Sequence, residues 1–409
     1  MASPPPGPET SAHAAPALPL LALCLAAFGS LASMRACDPL LPLLADAFAT
    51  TPGAAAQTVA AFALSYGIVQ FLVGPLGDRF GRTRVMATAC GLAACANVAV
   101  MLAPTLDAMT VARVLAGAAS GGIVPMALAL IGDAVPFTQR QQTLARLMVA
   151  TNMGLMAGIW LGGVLADAFG WRTVFAALAL AFATVAAPLW RDARRRTPPR
   201  RGVPAAGNGH AARQAFAGFV AVLRIRWARW VLALVFLEGA LVFATVAFVP
   251  TFLHEQHGLS LGQAGAVMAT YACAGLAYAP LAGRLVARLG SRGQAICGAG
   301  AIGCGAAVLA VAPAWAWAVP GCLLAGFGFF MLHSTLQLHA TQMAPAQRAS
   351  AISLFVVCLF SGQSLGVELA SWAVDRGWLQ AVFALTALSL PLLGAAFSRA
   401  LARHATVPE

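Results

Sequence analysis

The chain has 409 residues, 60% apolar and only 9% charged, with a mean hydropathy of +0.81. Soluble domains carry roughly a quarter charged residues, so this composition excludes a water-soluble globular protein and points to a polytopic membrane protein. The net charge is +12 and all 25 basic residues are arginine, a balance that would suit nucleic acid if the arginines were clustered on one face; their placement argues against it.

Residues 1–17 are rich in Pro, Ala and Ser, with Glu9 as their one charge, and read as a disordered tail. No basic segment precedes the first apolar run, so a cleaved signal peptide is not expected. A spanning helix needs about 20 mainly apolar residues. Twelve runs qualify: 18–41, 54–76, 84–103, 107–131, 145–165, 173–190, 229–251, 260–282, 294–312, 315–339, 350–371 and 380–399. The segment 191–228 is a basic linker with a short surface helix expected at about 211–225. It separates a bundle over 18–190 from one over 229–399, and 400–409 forms a second tail. The fold class expected is an all-α polytopic membrane protein, twelve transmembrane helices in two six-helix bundles. Nine cysteines lie in or beside the apolar runs, with no metal-ligand spacing; they read as small buried apolar residues.

Between runs two and three stands Gly74-Pro-Leu-Gly-Asp78-Arg79-Phe-Gly81-Arg82-Thr-Arg84. Of the 25 arginines, 21 fall in this loop, in the other loops on its side, in the linker and in the C-terminal tail; Arg172 and Arg376 lie in the opposite loops. By the positive-inside rule both termini are cytoplasmic. The exclusive use of arginine with abundant alanine and glycine suits a GC-rich bacterial genome, and hence a bacterial inner membrane. Gly74, Leu76, Arg79 and Gly81 recur as Gly283, Leu285, Arg288 and Gly290, each 209 positions on. Pro42 and Gly170-Trp171 have counterparts in Pro250 and Gly377-Trp378. The two halves are therefore read as parallel repeats.

Ionisable groups inside spans are functional candidates by default. Arg35 and Asp38 lie three residues apart near the outer end of the first span, and Arg113 lies at similar depth in the fourth. Asp38 is expected to pair with Arg113 or Arg35, either lining an outer vestibule or forming a static pair. Glu238 sits about nine residues into the seventh span, roughly 13 Å from its inner end, among Val235, Phe236, Leu237 and Leu241. It could carry a proton, bind a cationic substrate or make a structural hydrogen bond. His333 in the tenth span is at comparable depth and is a proton carrier or a locally satisfied histidine. In the charged loop, Asp133 at the end of the fourth span is a partner for Arg79 or Arg82, making a cytoplasmic latch. Ala287 replaces the carboxylate in the second copy, so the latch is expected to be lopsided.

The chain resembles the major facilitator superfamily. Gly74-x-Leu-x-Asp78-Arg79-x-Gly81-Arg82, with its weaker copy around Gly283 and Arg288, is similar to that family's signature between helices 2 and 3. Arg113-Val-Leu-Ala-Gly117 is similar to its fourth-helix motif. Gly158-Ile-Trp-Leu-Gly162-Gly163 resembles its antiporter motif, with Ile159 where the motif has Pro. Asp38-Pro-Leu-Leu-Pro42 looks like the drug-exporter branch. The resemblance implies that helices 1, 4, 7 and 10 line a cavity, that 2, 5, 8 and 11 form the interface between halves, and that Asp78 faces the start of helix 11. It implies proton-coupled efflux of a small amphipathic compound. An uptake symporter or facilitator of an organic acid, and a non-transporting sensor, are the alternatives. No ATP site, cofactor, metal cluster or enzymatic nucleophile is expected. The partners expected are a small-molecule substrate and lipid, with a monomer sufficient.

Overall fold

Lipid offers no partners for backbone polar groups, so apolar runs of this length must close their hydrogen bonds along a helix. The computed structural model describes residues 20–195 and 217–405, and within them it contains helices and no strand. In chain order, α1 is Leu20–Arg35, carried on through a 3-10 turn at Asp38–Leu40 and a last segment, Leu41–Ala47. Pro52–Ala55 leads into α2, Gln57–Phe80, and α3 is Arg82–Met101. The fourth helix, α4, is Leu106–Gly121 with Ile123–Ala134; α5 is Phe137–Phe169 and α6 is Trp171–Arg195. In the second half, α7 is Arg226–Val246 with Val249–His257. The 51 residues of Leu261–Val311 are too long for one crossing of a ~30 Å hydrocarbon core. They break at Gly290 (φ 60°, ψ 178°) into α8 (261–289) and α9 (291–311). Ala318–Gln342 is α10, Arg348–Val374 is α11 and Leu379–Ala405 is α12. Among the described residues eleven helices are long and apolar enough to cross a membrane, and the doubled one makes twelve.

Several expected boundaries move. The first span runs to Ala47 rather than 41, so Asp38 is buried within the helix and not near its outer end. The fifth begins at Phe137, which puts Arg140 and Arg146 on a helix. Arg284 and Arg288 lie on α8, and Arg292 on α9, in place of an expected loop. The reason is that Arg and Gln are good helix formers, so polarity alone does not end a helix; a glycine at positive φ does. Gly81 (φ 88°) makes the corresponding turn in the first half. Helices α6 and α12 likewise extend past 190 and 399. The tail 1–17 lies outside the described residues, as do the middle of the linker and 406–409. Within the linker, 217–224 is helical. Phe219 packs on Phe71 of α2 at 4.8 Å, and Gly218 abuts Ser350 and Gln347 at the start of α11.

The repeat is visible in the packing. In the first half a Cβ on Gly154 or Gly158 would strike the backbone of Phe28 or Ala32, so α5 lies directly on α1. In the second half Gly362 and Gly366 of α11 lie on Phe236 and Ala240 of α7 in the same manner. These glycines therefore pack helices within a half and not at the interface between halves. Gly163 does serve it, against Leu261 of α8, while Gly162 has ordinary clearance, 3.5 Å to the Ala36 carbonyl. The halves meet along α5–α8 and α2–α11. At the second seam, Tyr66 and Phe360 rings lie 4.8 Å apart and Gly67 abuts Phe360. Contact runs from mid-molecule to the end opposite the termini, here the distal end. At the terminal end, 74–80 and 283–290 are mostly exposed.

Candidate functional site

Helices α1, α4, α7 and α10 bring the sequence-predicted ionisable residues together in mid-molecule. On α1 the chain departs from the α-helix just after Arg35, because Pro39 cannot continue the hydrogen-bond ladder. The resulting 3-10 turn lets Asp38 fold back onto Arg35, with Nη1 donating to Oδ2 at 2.9 Å. Both side chains are buried. Arg113, on α4, is also buried but does not pair with Asp38. Its Nη1 and Nε donate to the carbonyls of Ser33 (2.9 Å) and Thr58 (3.3 Å), and its guanidinium sits 4.0 Å above the Phe62 ring.

Across the seam, Glu238 of α7 is fully buried and accepts a 2.9 Å hydrogen bond at Oε2 from Nδ1 of His333 on α10. The His333 side chain remains 19% exposed, whereas that of Glu238 has no exposed surface. A row of aromatic contacts joins this pair to Arg35. His333 stacks on Phe329 (5.1 Å, 17°), Phe329 meets Phe243 (5.6 Å) and Tyr271 (5.9 Å), and Arg35 lies 4.6 Å over Phe243. Several polar atoms here have no protein partner: Nε and Nη2 of Arg35, Oδ1 of Asp38, Nη2 of Arg113, Oε1 of Glu238, the Tyr271 hydroxyl and both amide atoms of Gln363. So dense a group of unsatisfied polar atoms is rare in a merely structural core. No group of three metal-ligating side chains occurs among the described residues.

Over residues 23–367 the chain matches the family model of the Major Facilitator Superfamily. It belongs to that superfamily. Among curated relatives, the "Probable transporter SCO4007" of Streptomyces coelicolor is 31% identical over 380 residues, 88% of this chain and 82% of that protein. The "Drug efflux pump JefA" of Mycobacterium tuberculosis is 28% identical over 159 residues, 39% of this chain and 31% of the pump. Among solved structures, a mutant of the nucleoside transporter NupG superposes with a TM-score of 0.76 over 93% of this chain and 99% of its own, at 14% identity. That likeness concerns the fold. The superfamily member is thus a multi-pass membrane transport protein for small molecules rather than an enzyme.

In this transporter the signature loop forms a cluster within its own half. Arg82 bonds Asp133 at 2.6 Å, approaches Asp78 at 3.5 Å and donates to the Ala129 carbonyl. Arg79 lies over Phe80 instead. Asp78 is 74% exposed and makes no hydrogen bond to the start of α11 among the described residues, a correction to the expected charge–dipole contact. Gly74, Gly283 and Arg288 lie exposed on the terminal end, and a Cβ on either glycine would meet open space.

The distal end holds a feature that the sequence reading missed. At the end of α5, Asp167 accepts hydrogen bonds from the first backbone N–H groups of α8, Leu261 (3.1 Å) and Gly262 (2.7 Å). Just beyond α11, Asp375 accepts from Gly53 N–H (2.9 Å) and Thr51 Oγ1 (2.8 Å) at the entry to α2. The two clamps occupy equivalent places in the repeat, and each joins one half to the other. A carboxylate on a helix N-terminus is favourable in charge and in hydrogen bonding. The signal available in sequence was the recurrence of an Asp just ahead of the matched Gly-Trp pairs, Gly170-Trp171 and Gly377-Trp378.

Proposed function

We propose that the chain is a proton-coupled secondary transporter that exports a small amphipathic organic compound by alternating access. The observation that carries the proposal is the Glu238–His333 pair. It is a buried carboxylate bonded to a partly exposed imidazole, on two helices that meet in mid-molecule. A proton can pass from solvent to His333 and on to Glu238 without exposing the carboxylate. Proton arrival changes the charge beside the aromatic row and so the affinity for whatever lies there. The distal clamps hold one end shut while the signature loops stand apart, which is one of the two states that alternation requires.

Arginine asymmetry supports cytoplasmic termini, so the clamped end would face outward across a bacterial inner membrane. One chain suffices for this cycle, driven by the proton gradient with no ATP or bound cofactor. Efflux is supported by the partial likeness to JefA. One observation favours a second reading, uptake of an organic acid with protons. The first half buries two arginines against one aspartate around Arg35, Asp38 and Arg113, an excess that suits an anion.

Proteoliposomes holding a pH-sensitive dye test both. Adding amphipathic drugs and organic acids in turn should move protons only when a transported compound is present. Proton entry opposite to the substrate marks efflux by exchange, and entry alongside it marks symport. Flux without proton movement would contradict the proposal, and so would the absence of both.

A further inference from the structure

We infer that the central site takes a substrate bearing an oxyanion, a carboxylate in the simplest case, on the free edge of Arg35. This rests on reading the central cluster as the transport site, and it holds for either direction of coupling.

A guanidinium presents two N–H edges to planar oxyanions. Asp38 occupies Nη1 of Arg35 with one oxygen. Nε and Nη2 lie together on the other edge, and both are buried without a partner. That edge is the one suited to two parallel hydrogen bonds with a carboxylate. Arg35 reaches across the seam to Phe243 of the other half, so a group bound there touches both halves.

A second donor converges on the same place. Tyr271 is 2% exposed, its hydroxyl has no partner, and its ring lies 5.9 Å from Phe329, which meets the Phe243 ring beneath Arg35. Charge content agrees. Arg35 and Arg113 face only Asp38 in the first half, and Arg113 is held by carbonyls and a ring, which leave its charge uncancelled. A buried cation without a counter-charge in its own half is costly, and a bound anion would neutralise it; Glu238, the other buried carboxylate of the site, is engaged by His333. Phe243 and Phe329 provide an apolar surface beside the fork. The class of ligand is therefore an aromatic or otherwise apolar body with one oxyanion. A lipophilic cation would meet the arginines unfavourably.

The test is thermal stabilisation of the purified full-length protein by salicylate, benzoate and longer aryl carboxylates. The uncharged methyl esters and a quaternary ammonium of similar size serve as controls. The wild type should be stabilised by at least one carboxylate and not by its ester. Tyr271→Phe, which leaves the Arg35–Asp38 pair intact, should weaken that carboxylate roughly tenfold or more, as expected for losing a hydrogen bond to a charged group. Arg35→Lys, which keeps the charge but lacks the fork, should weaken it further, and its melting point without ligand reports whether it folds. Stabilisation by ester and acid alike, by the ammonium instead, by no carboxylate in the panel, or undiminished in Tyr271→Phe would overturn the inference. Because binding is read without a membrane gradient, such a failure is separable from a failure of proton coupling in liposomes.

Discussion

Arg35 and Asp38 show how much a single buried pair commits a helix. Removing one partner strands the other charge in an apolar interior, which costs roughly 3–5 kcal/mol in known cases. Asp38→Asn should therefore lower the unfolding temperature markedly in a detergent melt. The double change Arg35→Met with Asp38→Met should recover most of the loss, since neither charge is then left alone. Equal stability of Asp38→Asn and wild type would mean that the pair is not closed as described. At this scale the sequence was informative about candidates and narrowed the partners of Asp38 and Asp133 to two arginines each, without choosing between them. Glu238 and His333 stand out because each interrupts an apolar run, yet they are 95 positions apart, and no periodicity joins them. Asp38 had two plausible partners on charge alone, Arg35 and Arg113. The structure gives it Arg35 and sends Arg113 to backbone carbonyls, a choice set by where α1 and α2 place Ser33 and Thr58. Nothing in the sequence singles out Tyr271; its unpartnered hydroxyl is visible only in the structure.

Among the helices, the contacts divide into those that build each half and those that join the halves. Gly366 belongs to the first kind. A Cβ there would lie 2.6 Å from Ala240 Cα, so Gly366→Val must push α11 off α7. Overpacking of this sort costs about 1–3 kcal/mol, read as a lower melting temperature and reduced folded yield; Gly283→Val, in open space, should change neither. The clamps belong to the second kind. Asp167 and Asp375 are exposed, so each is worth only about 1 kcal/mol, enough to shift a balanced equilibrium roughly fivefold. Asp167→Asn with Asp375→Asn should lengthen the distance between spin labels at Ala168 and Ala266 in a larger fraction of molecules. An unchanged distance distribution would remove the clamps from the gating account.

The signature loop makes a graded prediction. Asp133 holds Arg82 at 2.6 Å and Asp78 only at 3.5 Å, so Asp133→Asn should disturb the clamped state more than Asp78→Asn. Asp78→Asn should act on cycling rate with substrate affinity largely intact, and a comparison of turnover with binding separates the two effects. The loop could be found in sequence because charge between apolar runs is conspicuous. The clamps are harder to find, because an aspartate at the end of a span looks like any residue reaching the interface and only its recurrence ahead of the two Gly-Trp pairs marks it. Helix ends were also misread wherever arginines ride on a continuing helix, as at 284–292, since composition marks where lipid ends and not where a helix does.

For the whole molecule, twelve crossings and a two-part repeat followed from hydropathy and from Gly81 and Gly290, whose left-handed turns reverse the chain in both halves. The relative placement of the halves did not follow, because hydropathy marks the spans and only packing decides how two bundles of them meet. The conformation described is shut at the distal clamps and open around the signature loops. It has a buried carboxylate bonded to an imidazole on one side of the seam and an arginine fork on the other. Coupling then requires that the charge on the Glu238–His333 pair change between the two openings. The most direct measurement is transport by Glu238→Gln in proteoliposomes, for a compound that the wild type moves. Exchange of that compound across the membrane without a pH gradient should persist, while accumulation driven by a pH gradient should be lost. Gradient-driven accumulation at the wild-type rate would contradict the central claim that this buried carboxylate couples protons to transport.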